Sequence, residues 1–277
     1  VKFERKHAWL PLISVVSAVS SYFINHNLGQ GPVIAASIVG IVAGLFFKEP
    51  LYAVTSYSAA FMGMSSKAVI PEWYYLILIG IIHSLVVIAL LNVFVGWGGK
   101  AGTMGFIALN IGIIILYAIH PVNYYTGDPL AKIASYPVDL WIAGILAGVT
   151  GIMLTILVRE KAAGGPKGND AVIGSAIVAL LGGIIAPLLA KEPFNYANAT
   201  YLAAIIASGT YAGMASRKVL PKLYDFLAVG VILGILNLLL WYIFPGFGGK
   251  LGTIGLISCA IWMAVIKARK PPATRQQ

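Results

Sequence analysis

The phrase Gly96–Gly105, GWGGKAGTMG, returns at Gly246–Gly255 as GFGGKLGTIG. Seven of its ten positions carry the same residue, and the shift is 150. A second pair lies upstream at the same shift: GMSSKAVIP (Gly63–Pro71) and GMASRKVLP (Gly213–Pro221). A looser third match pairs FKEP (Phe47–Pro50) with AKEP (Ala190–Pro193) once about seven residues are inserted. Three matches in one order predict a duplicated chain, with residues 1–125 as the first copy and 126–277 as the second.

Both glycine phrases border apolar runs, and composition says what those runs are for. Of the 277 residues 59% are hydrophobic and only 10% charged, with mean hydropathy +0.88. A soluble domain carries about 25% charged residues, and a single water-facing core stops growing near this length. The expected solvent is therefore lipid. Ten apolar stretches suit bilayer spans: 8–25, 31–47, 51–66, 73–95, 102–119, 139–158, 171–189, 197–214, 223–244 and 251–267. The third and eighth read as short and rich in small or polar residues. The basic, apolar start reads as the first span rather than a removable signal.

Charge sets the direction. With the N-terminus in the cytoplasm, fifteen of the nineteen basic residues fall inside. Four (Lys67, Lys132, Lys191 and Lys250) fall outside. This follows the positive-inside rule and puts both termini in the cytoplasm, with the plasma (inner) membrane as the expected location. The net charge of +10 is then loop bias. No basic stripe with interleaved aromatics suggests nucleic acid.

Five spans per copy is an odd number, so the second copy enters the membrane from the other side. The fold class expected is an all-α integral membrane protein, ten transmembrane helices as two inverted five-helix repeats. The plan resembles small five-plus-five transporters and channels, where sites lie between repeats near the midplane.

Candidate site residues follow from that plan. The glycine loops (Gly96, Gly98, Gly99; Gly246, Gly248, Gly249) precede a helix start and a lysine, Lys100 or Lys250, and together these suit an anion. Tight helix packing with a snorkelling lysine is the plainer reading. Ser58 and Ser208 align in mid-span, the latter beside Thr210 and Tyr211. His83 is the one ionisable residue at mid-depth, and its aligned partner is Leu233. Asn110 and Asn237 are mid-span amides that either line a path or join helices. All nine carboxylates fall in loops or at span ends, which disfavours proton- or sodium-coupled transport of the usual kind.

Catalytic and metal residues are not expected, since the four histidines and the lone Cys259 are scattered. No cofactor is expected. The predicted function is a channel or a uniporter or exchanger for a small ion or solute, tilted toward an anion or neutral solute. A membrane-embedded lipid-handling enzyme and a structural subunit of a membrane complex are the alternatives. The predicted partners are the lipid bilayer, the solute and a second copy of the chain.

Overall fold

The computed structural model describes residues 4–116, 133, 135–161, 168–189 and 196–268, without the side chains of 189 and 196–199. The predicted boundary between 125 and 126 lies outside the described residues. Among the described residues the chain has ten α-helices and no strand. After a short 3-10 turn (Arg5–Trp9) come α1 (Leu10–His26), α2 (Pro32–Phe46), α3 (Pro50–Gly63), α4 (Tyr75–Ala89) and α5 (Lys100–Leu116). Then follow α6 (Val138–Lys161), α7 (Asp170–Leu189), α8 (Tyr196–Gly213), α9 (Leu223–Leu239) and α10 (Lys250–Ala268). Four segments are long and apolar enough to cross a bilayer: Arg5–His26, which includes α1, and α6, α7 and α10. α2, α4, α5 and α9 are apolar but shorter.

Two expected spans end early, for a backbone reason. The apolar runs 73–95 and 223–244 outlast their helices, which stop at Ala89 and Leu239. Phe94 and Phe244 both take φ 50°, and Gly96 and Gly246 both take φ 76°. A left-handed aromatic residue is rare, and with the glycine two positions on it keeps the rest of each apolar run, past the helix end, from resuming a helix. Apolar content reports the solvent, not the turn. α3 has 14 residues, as a short span would, but α8 has 18. Pro50 at the first helical position fixes where α3 starts.

Packing repeats between the halves. In the first, α1 packs on α2, α3 and α4, α3 on α2, α4 and α5, and α4 on α5. In the second, α6 packs on α7, α8 and α9, α8 on α7, α9 and α10, and α9 on α10. The halves meet chiefly through α2 on α7 and α5 on α10. One apolar cluster fills the first half around Leu76, Ile79 and Leu109. Another fills the second around Ile152, Phe226 and Leu233. A third lies between them, around Tyr57, Phe61, Ala176 and Tyr211. The outer surface is also apolar: Leu85, Ile114 and Leu188 are 62%, 74% and 63% exposed.

Candidate functional site

The opening phrases meet. α5 and α10 begin side by side, and their closest approach is Gly102 against Gly252. A Cβ on either glycine would lie 2.6 Å from the other's Cα. Gly99 and Gly249, both at φ 81°, turn the chain into these helices and pack against each other's helix, Gly99 on Gly252 and Gly255, Gly249 on Gly102 and Phe106. No side chain fits at this crossing, which is why the phrase is glycine-rich in both copies.

Each phrase also docks on the other half's second motif. The Ser66 amide donates to the Gly246 carbonyl (2.9 Å), and the Ser216 amide to the Gly96 carbonyl (2.8 Å). Gly98 packs on the Ala212 carbonyl and Gly248 on the Phe61 carbonyl. The two duplicated motifs thus form two crossed contacts, each built from one motif of each half.

Ser58 and Ser208 hold the helix starts. Ser58 Oγ donates to the Ala101 carbonyl (2.6 Å), and Ser208 Oγ to the Leu251 carbonyl (2.7 Å). Ser58 has spent its proton, so it accepts from His83 Nε2 (2.7 Å). Nδ1 of His83 pairs with Ser14 Oγ (2.9 Å). Ser14, His83, Ser58 and Ala101 thus form one buried chain, in which Ser14 is the donor when the imidazole is neutral. In the second half Asn237 Nδ2, on α9, donates to Ser208 Oγ (3.0 Å) and to the Leu233 carbonyl (2.9 Å). His83 and Asn237 therefore do the same job one helical turn apart in the alignment. That equivalence was invisible in the sequence, where His83 aligns with Leu233.

The other candidates divide. Lys100 Nζ bonds the Leu91 carbonyl (3.0 Å) and Lys250 Nζ the matching Trp241 carbonyl (2.8 Å), with Ile243 at 3.2 Å. Both ammonium groups thus complete carbonyls just past a helix end. Asn110 bonds its own helix at Phe106 (2.7 Å). Thr210 bonds the Ala207 carbonyl (2.7 Å) and accepts from Ser175 (3.0 Å), which neighbours Tyr57. Among the described residues, no three His, Cys, Asp or Glu side chains gather where they could hold a metal ion.

A cavity of about 380 Å³ opens between the halves beside the second phrase. Gly246, Gly248, Gly249 and Lys250 line it, with Phe61 and Tyr211. Of the candidates named from the sequence, Lys250 and these glycines reach it, while Ser58, His83, Lys100, Asn110, Ser208, Thr210 and Asn237 do not. Phe61 and Tyr211 occupy matching positions at the shift of 150, and their rings pack tilted at 51° with centroids 4.5 Å apart. Phe61 escaped the sequence reading because an apolar ring in an apolar span carries no signal. The shift itself, applied to Tyr211, would have found it.

Compared with family models, curated protein sequences and solved structures, the chain matches none.

Proposed function

We propose that this chain spans a lipid bilayer ten times, as two inverted five-helix repeats, and carries a small anion or neutral solute between its halves. The meeting of α5 and α10 at Gly102 and Gly252 is the observation that carries the reading. Paired helix starts at the junction of two like halves are the recurring plan of secondary transporters. A cavity against one of those starts supplies a place for a solute.

Other features support it. A water-exposed surface bearing Leu85, Ile114 and Leu188 is hard to reconcile with a soluble monomer. α3, at 14 residues, reaches about 21 Å, short of a hydrocarbon core about 30 Å thick. Of its irregular continuation, Ser65, Val69 and Ile70 are buried and the Ser66 amide bonds the opposite phrase, as non-helical backbone at membrane depth requires, while Lys67 and Ala68 reach the surface. The aromatic cluster of Tyr57, Phe61 and Tyr211 is the barrier that would separate the cavity from the far side.

Purified protein in liposomes tests this. Flux of a small anion or neutral solute above that of empty vesicles is expected. Vesicles impermeable to both classes, with folded protein inserted, would overturn the transport reading.

A further inference from the structure

We propose that the Tyr57 ring is the gate between this cavity and the opposite end of the α2–α7 contact, and that Asn169 latches that end shut. The proposal rests on the transport reading in taking the cavity as the solute's place, but the closure is measurable without any solute.

α2 and α7 run antiparallel across the junction of the halves, with Gly183 against Ile34, Gly40 against Ala176 and Gly44 against Ile173. One end of the contact borders the cavity, through Gly31 and Pro32 where α2 starts and Gly183 and Pro187 toward the end of α7. The other end is packed tight. A Cβ on Gly40 would lie 2.5 Å from Tyr57 Cδ2, and one on Gly44 2.5 Å from Ile173 Cγ1.

Two differences between the halves fall at that tight end. The shift of 143 that pairs FKEP with AKEP matches Gly40 to Gly183, and the shift of 150 matches Tyr57 to Ala207. A tyrosine ring therefore lies on one glycine, and the cavity on its match. The residue before each helix differs in the same sense. Before α2 it is Gly31, at φ 83° and on the cavity wall. Before α7 it is Asn169, a buried side chain whose Nδ2 donates to the Gly44 and Phe47 carbonyls (2.9 and 2.6 Å). The last carbonyls of a helix lack an intrahelical donor, so an amide of the second half finishes a helix of the first. The cavity end of the same contact does without both side chains, so pairing α2 with α7 does not require them.

Tyr57 is pinned from the other half as well. Thr210 spends its proton on the Ala207 carbonyl (2.7 Å) and accepts from Ser175 (3.0 Å), which leaves Ser175 Oγ to accept from the Tyr57 hydroxyl (3.2 Å). On its other side the ring meets Phe61, centroids 4.6 Å apart, and Phe61 lines the cavity. The plug thus backs the cavity wall. The bonds that hold plug and latch cross from one half to the other, so they break when the halves rock apart, the motion by which repeats of this plan open.

The test is thiol labelling of the full chain in nanodiscs with a charged methanethiosulfonate. Ser175→Cys puts a thiol directly behind the plug, and the buried native Cys259 reports on the fold. Mass spectrometry separates the two positions. Buried thiols are inert, so the parent should react at most slowly at 175 and not at Cys259. Tyr57→Ala and Asn169→Ala should each raise the rate at 175 at least tenfold with Cys259 still unlabelled. Tyr57→Phe, which keeps the ring, should leave the rate within threefold. A parent that reacts freely at 175 overturns the closure. Protection at 175 in Tyr57→Ala overturns the plug, and in Asn169→Ala the latch. Tyr57→Phe reacting as fast as Tyr57→Ala, or Cys259 reacting in step with 175, overturns the gate too. If Tyr57→Ala does not fold, Asn169→Ala decides. Opening at 175 in a chain that passes no solute would support the closure and overturn transport. Flux with 175 protected in both alanine variants would support transport and overturn the gate.

Discussion

Two serines anchor the ends of helices they do not belong to, and their neighbours make them unequal. Ser58→Ala strips a partner from the Ala101 carbonyl and from the His83 Nε2 proton, both buried. Ser208→Ala strips the Leu251 carbonyl, but Asn237 keeps its bond to Leu233. Leaving a buried group unsatisfied costs about 1–3 kcal/mol. Thermal unfolding in detergent should therefore show Ser58→Ala as the more destabilised, by about one such bond. A smaller loss at Ser58 than at Ser208 would mean that the histidine finds water. This pairing was only half legible in the sequence. The alignment of Ser58 with Ser208 was plain, because identity survives duplication. The donors were not, because His83 and Asn237 sit a turn apart and only three-dimensional reach makes them equivalent.

Among elements, the ends of α3 and α8 are finished by different chemistry on matching atoms. Asn25 Nδ2 reaches the Gly63 carbonyl (3.3 Å) and His26 Nε2 the Ser65 carbonyl (2.8 Å). In the second half a single guanidinium, Arg159, takes both corresponding carbonyls, Gly213 (3.0 Å) and Ala215 (2.8 Å). Arg159→Met should consequently lower stability by about as much as Asn25→Ala and His26→Ala together, roughly 2–3 kcal/mol at about 1 kcal/mol or more per bond, charged donors being the stronger. Chemical denaturation of the three variants checks it. A second contrast concerns α10. Gly252→Ala places a methyl against the Gly102 backbone and should abolish folded protein. Gly255→Ala meets its nearest atom at 3.4 Å and should be tolerated. Size-exclusion profiles of the two variants separate them. The helices themselves were well marked by apolar runs. Their ends were not, because Phe94 and Phe244 stay apolar while turning the backbone.

For the whole molecule, the expected inversion has a direct test. Lys67 and Lys218 are exposed one aligned position apart, just beyond α3 and α8. With Cys259 buried and silent, cysteines placed at 67 and 218 should react with an impermeant reagent from opposite sides of a vesicle. Labelling from the same side would sink the ten-span inverted reading. The ten helices were readable from the sequence, since their number rests on counting apolar runs. The cavity was not, since it arises only where Gly246–Lys250 faces the aromatic pair from α3 and α8.

That aromatic pair is one more place where the two halves differ. One half contributes a ring with a hydroxyl, Tyr211, and the other a ring without one, Phe61. A carrier built from like halves exchanges their conformations to switch which side is open, so identical halves would leave the two open states equally populated. Under the transport reading every difference between the halves sets those two states apart in energy. The double exchange Phe61→Tyr with Tyr211→Phe, which keeps the composition of the chain, should therefore change their ratio, read as the reactivity of a cysteine at 67 from each side of a vesicle.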